Sequence, residues 1–81
     1  MNFKQIICIV EGDGYVDVKF DDRTVTSYRD ITEAMLSLNQ MGYGDYSTRE
    51  QKVCGKPVRL DFENGQQCWY MRSEDSMLTN L

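Results

Sequence analysis

Hydrophobic positions in the first quarter of the chain recur at the two-residue spacing of β-strands. The stretch from Phe3 to Val10 is apolar and rich in β-branched residues on both faces, which predicts a strand that is covered on both sides or lies in the middle of a sheet. In the next stretch Val16, Val18 and Phe20 alternate with polar positions, so they share one face of a second strand. This pattern predicts a β-sheet with one apolar, inner face.

Two reversals follow these strands. Residues 11–14, with the sequence EGDG, form a turn, and aspartates follow Phe20 at the second reversal. A two-residue loop at Asp22 and Arg23 would set Phe20 opposite Val25 and keep both side chains on the inner face. A third strand is therefore predicted to begin near Val25.

A helix is predicted after the third strand. Asp30 is a suitable N-cap, and Glu33 three residues later forms a box-like pair with it. The apolar residues that follow have the spacing of one buried helical stripe: Ile31, Ala34, Met35, Leu38 and Met41. Gly42 ends the helix, because glycine tolerates the left-handed conformation found after many helices.

The second half of the chain contains a hairpin signal. Asn64-Gly65 separates two strand-like runs, 58–62 and 67–71, and this dipeptide favours the type I′ turn of a two-residue loop. Residues 50–54 have the pattern of a short additional strand before the hairpin.

The two-residue loop fixes which side chains of the hairpin face the core. It sets Leu60 opposite Trp69 on the inner face of the sheet. On the outer face it sets Arg59 opposite Tyr70. Trp69 is therefore expected in the core and Tyr70 at the surface.

These elements predict an α+β fold of order β-β-β-α-(β)-β-β. An antiparallel sheet of four to five strands carries one helix packed on one face, because a single helical stripe and a one-sided sheet must cover each other. We expect one domain over residues 1–81, with a polar and frayed C-terminal tail over residues 73–81.

Charge and cysteine content narrow the classes of function. The net charge of -4 and the pI near 4.6 argue against sequence-independent binding to DNA or anionic lipid, which both require clustered Lys and Arg. The apolar start is too short for a membrane span or a secretory signal, so we expect a cytoplasmic protein without membrane association. Three cysteines without a CxxC pair are expected to be reduced thiols.

No residue pattern indicates catalysis, a cofactor or a metal. The chain has no histidine, the usual general acid or base at neutral pH, and Cys54 beside Lys52 and Lys56 is a thiol in an ordinary turn. The EGDG turn has too few oxygen ligands for calcium, and a strand rather than a helix follows it, which disfavours a phosphate loop. We therefore expect no enzyme activity.

The outer sheet face is one candidate binding surface. The predicted alternation gives it Tyr15, Tyr28, Arg59 and Tyr70. Aromatic residues mixed with arginine suit a protein interface, and they also suit stacking of single-stranded bases. The acidic balance favours protein over nucleic acid, and a solvated face with cross-strand pairs is the remaining alternative.

Two further surfaces have the composition of interfaces. The stretch GYGDYSTREQ at residues 42–51 contains Tyr43, Asp45 and Tyr46, and Tyr, Gly, Ser and Asp are typical of recognition loops. The alternative is that its tyrosines cover a sheet edge. Acidic residues of the first hairpin are expected to form an edge that attracts a basic protein surface: Glu11, Asp13, Asp17, Asp21 and Asp22.

In size and character the chain resembles the small acidic inhibitor proteins that phages encode against host defence enzymes. That resemblance implies a protein-binding module that blocks a host defence or nucleic-acid-handling partner by occlusion. A single-strand nucleic-acid binder and a self-associating structural or assembly protein are the alternatives. We expect a monomer or a small homo-oligomer with a protein partner.

Overall fold

A computed structural model describes residues 4–48, 51 and 55–73 of the chain. Its one described helix and six described strands are, in chain order, β1 (Ile6–Gly12), β2 (Tyr15–Phe20), β3 (Val25–Tyr28), α1 (Ile31–Gln40), β4 (Tyr46–Ser47), β5 (Val58–Phe62) and β6 (Gln67–Arg72). The helix packs against one face of the sheet, which confirms the predicted α+β class.

The sheet has the strand order β3-β2-β1-β6-β5-β4. It contains six strands rather than four to five, and it is mixed rather than antiparallel, because the adjacent first and last strands β1 and β6 run parallel. The predicted central position of the first strand is confirmed. Strands β3 and β4 form the two edges of the described sheet.

A β-bulge in β1 accounts for its apolar residues on both faces. Ile6 pairs with Phe20 but Cys8 pairs with Lys19, so Ile7 is the extra residue on the bulged strand. As a result Ile6 and Ile9 are both buried although they are three residues apart. Ile7 itself is exposed on the outer side of the sheet.

Both later hairpins close with three-residue loops, not the predicted two-residue loops. In the β2–β3 loop the Phe20 N–H donates to the Thr24 carbonyl at 3.0 Å, and Arg23 has a φ of 73°. In the β5–β6 loop the Phe62 N–H donates to the Gln66 carbonyl at 2.8 Å, and Gly65 has a φ of 93°. A type I turn followed by a left-handed residue is the usual form of such loops.

The extra loop residue shifts both predicted registers. Lys19, not Phe20, pairs with Val25, so Val25 lies on the outer face and is exposed. In the second hairpin Leu60 pairs with Cys68, and Arg59 pairs with Trp69. Since a one-residue slip moves every side chain of a strand to the other face, Trp69 is exposed and Tyr70 is buried, the reverse of the prediction.

The helix begins and ends as the sequence predicts. The Asp30 carboxylate accepts the Glu33 N–H at 2.8 Å. The Glu33 side chain does not reach back to Asp30, because it accepts from Arg29 Nε at 3.0 Å. Ala34 and Leu38 form the buried stripe, whereas Met41 is exposed, contrary to the prediction.

The C-terminus of α1 is a Schellman motif. The Gly42 N–H donates to the Asn39 carbonyl at 3.0 Å, and the Tyr43 N–H donates to the Leu38 carbonyl at 3.1 Å. The motif commonly includes a hydrophobic contact between its last residue and the helix, and both Tyr43 and Leu38 are buried in the core. The glycine therefore directs Tyr43 back onto the inner face of the sheet.

Some predicted features lie outside the described residues. This group includes the predicted short strand over residues 50–54, of which only residue 51 is described, the thiol of Cys54, and residues 74–81 of the predicted tail. Within the described residues, the single helix is too short to cross a bilayer.

Candidate functional site

The outer face of the sheet carries a row of side chains that crosses five strands. The registers place Val25, Lys19, Cys8, Trp69 and Arg59 side by side on β3, β2, β1, β6 and β5. No described helix packs on this side, since α1 covers the face that carries the buried residues. The row is therefore the open surface of the sheet.

Trp69 and Arg59 form the centre of this surface. Trp69 is 48% exposed, and the Arg59 guanidinium carbon lies 4.8 Å from the centroid of its ring. Phe62 and Gln66 form a hydrogen-bonded pair next to the β5–β6 loop, and hydrogen-bonded and non-hydrogen-bonded pairs alternate along the two strands. Arg59 and Trp69 are therefore a non-hydrogen-bonded pair, in which opposite side chains come closest. The Arg59 Nη1 also donates to the Gln67 Oε1 at 2.8 Å. Both of these contacts join Arg59 of β5 to residues of β6.

A shallow depression of about 350 Å³ borders Trp69. Ile7, displaced to the surface by the bulge, lines it from β1, and Gln5 lines it from the preceding residues. Arg59, Gln67 and Trp69 line it from β5 and β6. Ile7 and Trp69 are each 48% exposed, so the depression has an apolar floor that water contacts.

Charged residues surround this apolar centre. Lys19 lies in the same row as Trp69 on the far side of Cys8. Asp17 lies on the same face two residues before Lys19 on β2, where its carboxylate accepts a 2.6 Å hydrogen bond from the Ser27 hydroxyl. Asp61 lies beyond Arg59 on β5, and its Oδ1 is buried without a hydrogen-bond donor among the described residues. The surface therefore has an apolar centre and a rim of both signs.

Of the predicted outer aromatic residues, Tyr15 is on the outer face but only half-exposed. Its ring lies directly over Gly12, its cross-strand partner, where any Cβ would collide with the ring. Tyr15 thus covers the backbone at the end of the first hairpin. Arg59 lies on the outer face as predicted.

Tyr28 and Tyr70 are on the inner face, so their predicted outer positions are wrong. Tyr28 pairs with buried Val16, and its hydroxyl forms a 2.8 Å hydrogen bond with the Ser37 hydroxyl on the helix. Tyr70 is 2% exposed, and its hydroxyl donates to the Glu11 carboxylate. Burial is the main reason that the pKa of Tyr70 lies well above its ordinary value, and this hydrogen bond raises the pKa further.

Tyr43 is not a surface residue of the loop at residues 42–48. It is 1% exposed, its ring meets the Phe62 ring edge-on at 6.1 Å, and its hydroxyl donates to the Lys4 carbonyl at 2.7 Å. Burial raises its pKa. Tyr43 thus folds back into the core, whereas the alternative interpretation expected it to cover a sheet edge.

Asp45 and Tyr46 line a second groove, of about 290 Å³, between the helix and β4. Asp45 accepts from the Asn39 amide at 2.9 Å, and its own N–H donates to the Glu63 carboxylate at 2.7 Å. Tyr46 is half-buried and packs against the core. Leu36, which is exposed, completes the groove on the helix side. Hydrogen bonds thus hold this end of the loop to the helix and to the β5–β6 turn.

The predicted acidic edge is not present. Strands β1 and β2 lie inside the sheet, and Asp17 lies midway along β2. The other four acidic residues separate to opposite ends: Glu11 and Asp13 at one end, Asp21 and Asp22 at the other. Glu11 accepts from Tyr70, and Asp22 forms a 3.0 Å ion pair with Lys4. The four carboxylates therefore do not form one continuous binding surface.

The two described thiols lie on opposite faces of the sheet. Cys68 is buried, and desolvation raises its pKa to about 12. Cys8 is half-buried on the opposite face of the sheet. Within the part of the chain that the structure describes, no three His, Cys, Asp or Glu side chains cluster as a metal site.

Trp69, Val25 and Ile7 are residues of the outer face that the sequence prediction placed elsewhere. Their exposure follows from a loop length and from a bulge, and neither is visible in the apolar pattern alone. The sequence signal for the loop is the Glu63-Asn64-Gly65 triplet, which also fits a three-residue hairpin loop with a left-handed glycine.

Comparisons with protein-family models, with curated proteins and with solved structures each find no significant match to this chain.

Proposed function

We propose that this chain is a protein-binding module that acts by occlusion through the open face of its sheet. The observation that carries the proposal is the exposed pair of Trp69 and Arg59 beside Ile7. Trp and Arg are the residues most enriched among those that dominate the energy of protein interfaces. A partner seated on this face would bury the apolar centre, and the mixed charges of the rim would orient it.

Protein is a better partner for this face than single-stranded nucleic acid. Stacking proteins present several aromatic side chains along a positively charged groove. Here Tyr28 and Tyr70 lie on the inner face and Tyr15 covers Gly12, so Trp69 is the one widely exposed aromatic ring on the described outer face. The rim includes carboxylates, and the chain has a net charge of -4.

The proposal moves the predicted interface from the tyrosine loop and the acidic hairpin to the outer face. It keeps the idea of an inhibitor that blocks a partner without chemistry of its own, which fits the absence of histidine. We place its action in the cytoplasm, where Cys8 and Cys68 would remain reduced thiols.

The test compares variants of the outer face with a variant of the groove. Tagged wild-type chain, Trp69→Ala, Arg59→Ala and Leu36→Ala are used to capture partners from lysate of the source cells, with quantitative mass spectrometry. The Kd of the purified partner is then measured for each variant. Circular dichroism shows that each variant folds.

We expect Trp69→Ala to weaken binding by at least about 30-fold, the loss typical of a dominant interface residue. Arg59→Ala should weaken it less, and Leu36→Ala should leave it unchanged. Loss of binding in Leu36→Ala with retention in Trp69→Ala would assign the interface to the groove and refute the proposal. A homodimer in light scattering that Trp69→Ala dissociates would assign the face to self-association instead.

A further inference from the structure

Strand β3, at one end of the sheet, has backbone groups that the described sheet does not use. Only β2 pairs with it there. Thr24 and Phe20 form a hydrogen-bonded pair next to the β2–β3 loop, and hydrogen-bonded and non-hydrogen-bonded pairs alternate from that point. The N–H and C=O groups of Val25 and Ser27 therefore point away from β2, where no described residue bonds to them. Such an edge is a template for a further strand.

The side chains of β3 do not protect this edge. Proteins commonly place lysine, proline or a bulge on an exposed edge strand. The β3 residues, Val25–Tyr28, include no charge and no proline, although 27% of the chain is charged, and they pair with β2 without a bulge. The opposite edge, β4, is two residues long and offers less backbone. The β3 edge is therefore the better site for strand addition.

Apolar surface is available beside β3 on both faces of the sheet. Val25 is 52% exposed on the outer face. On the inner side the Tyr28 hydroxyl forms a 2.8 Å hydrogen bond with the Ser37 hydroxyl of α1, which lies 4.0 Å from the Met41 sulfur. Met41 is 43% exposed, so the flank of the helix next to β3 carries uncovered apolar surface.

A second copy of the chain fits this edge poorly. An antiparallel pairing with its two-fold axis at Thr26 would let both outward-pointing residues form hydrogen-bonded pairs. In that register Arg23 of one copy comes opposite Arg29 of the other, and Asp22 comes opposite Asp30. Like charges opposite each other destabilise a strand pair. Symmetric registers centred elsewhere on β3 pair only one of its outward-pointing residues, so the edge favours a strand of a different protein.

We propose that the partner protein adds an extended, uncharged segment to β3 as a further antiparallel strand. The segment exchanges backbone hydrogen bonds with Val25 and Ser27, and its alternate side chains pack on Val25 and Met41 at the two faces. Lys19 and Asp17, the neighbours of β3 on the outer face, have opposite charges and so favour neither sign of charge in the segment.

The inference rests on the proposed function, because it names the element that the same partner presents at the end of the open face. Two strands separate β3 from β6, which at the usual strand spacing places Trp69 about 14 Å from the edge. A single protein surface of ordinary size covers this distance.

Substitutions of Ser27 test the backbone contact. Ser27→Pro removes the outward-pointing N–H and places a ring there, whereas the pairing of β3 with β2 does not use this N–H. Ser27→Ala is the matched control, because it keeps the N–H and, like proline, lacks the hydroxyl that donates to Asp17. Circular dichroism shows whether each variant folds.

The probe is a capped six-residue peptide of alternating threonine and valine, and its control is the same peptide N-methylated at the four central residues. Amide hydrogen exchange, followed by NMR on the full chain, measures binding at each N–H of β3. With about 90% of the chain occupied, exchange at Val25 and Ser27 should slow about tenfold, because only the unbound chain exchanges. Ser27→Ala should bind the probe within about twofold of wild type, and Ser27→Pro at least about tenfold more weakly.

Unchanged exchange at Val25 and Ser27 with about 10 mM probe would overturn the inference. Equal binding of the N-methylated peptide would do the same, and this control decides the question even where Ser27→Pro does not fold. A wild-type dimer that Ser27→Pro dissociates and Ser27→Ala retains would make a second copy the occupant, against the proposal.

Partner capture separates this inference from the proposed function. If Trp69→Ala abolishes capture while Ser27→Pro captures as well as Ser27→Ala, the inference is wrong and the open-face interface stands. If Ser27→Pro abolishes capture while Trp69→Ala captures normally, the proposed function is wrong and strand addition stands.

Discussion

Substitution of Tyr43 by alanine tests whether the tyrosine loop is part of the core. A recognition residue on a surface loop can be removed with little loss of stability. The structure instead buries Tyr43 against Phe62 and ties its hydroxyl to the Lys4 carbonyl. The variant Tyr43→Ala should therefore unfold far more readily than the wild-type chain.

The expected loss in the free energy of unfolding follows from the burial of the Tyr43 ring and from the hydrogen bond of its hydroxyl. Truncation of a buried aromatic side chain to alanine costs about 3–5 kcal/mol in transfer and cavity terms. A chain of 81 residues has a free energy of unfolding of about 4–12 kcal/mol. The variant loses a large fraction of this, and at the lower end of the range it does not fold at all.

Tyr43→Phe isolates the hydroxyl. It removes one hydrogen bond of 2.7 Å but leaves the ring in place. The Lys4 carbonyl still accepts from Gln66 Nε2 at 3.2 Å, so it is not left unsatisfied. The expected loss is then near the low end of the usual range, about 0.5–1 kcal/mol. This corresponds to a fall in Tm of about 5 °C for a domain of this size.

Urea unfolding followed by Trp69 fluorescence and by circular dichroism measures these differences. Leu36→Ala, at an exposed position of the helix, is the matched control and should cost less than about 1 kcal/mol. A Tyr43→Ala variant as stable as Leu36→Ala would show that Tyr43 is not in the core. It would also remove the Schellman explanation of the loop.

Two further predictions concern ionisation and the sheet edge. The hydrogen bond from the Thr24 hydroxyl is the largest of the interactions that lower the pKa of Asp22 from 3.8 to about 2. The stability that the ionised Asp22 gives the fold should therefore be complete above about pH 4 and lost as the pH falls towards 2. An NMR titration of Asp22, with Asp22→Asn as control, checks this. On the edge strand β3, the N–H groups point alternately to β2 and to solvent, and Thr24 forms a hydrogen-bonded pair with Phe20. The Thr26 N–H therefore points to β2, and the Ser27 N–H points outward. Urea unfolding should show Thr26→Pro to be about 1–3 kcal/mol less stable than Ser27→Pro, and equal stabilities would contradict this ladder.

The features predicted correctly from the sequence depend on local chemistry. Asp30 caps the helix through its own side chain, and Gly42 ends it because its left-handed conformation is inexpensive for glycine. The alternation in β2 is also local, since a half-buried strand repeats every two residues. None of these features requires knowledge of which strands are neighbours.

The errors in the two predicted hairpin registers share one physical origin. Both hairpins were expected to have two-residue loops, and both have three-residue loops whose last residue is left-handed. Nothing in the flanking apolar pattern separates the two lengths, because either one pairs alternating residues. The parallel pairing of β1 with β6 was also not predictable, because its hydrogen bonds join strands from opposite ends of the chain and no local sequence pattern marks them.

One residue of loop length decides which aromatic residue the protein presents. With a two-residue loop the β6 strand would bury Trp69 and expose Tyr70. The three-residue loop with its left-handed Gly65 reverses this. The Trp69 ring faces solvent beside Arg59, and the Tyr70 hydroxyl donates to Glu11 on the inner side. Exposing about half of a tryptophan forgoes apolar burial that the core could have used. Under the proposed function, a partner would bury this ring together with the exposed isoleucine of the bulge, and so recover the apolar burial that the fold forgoes.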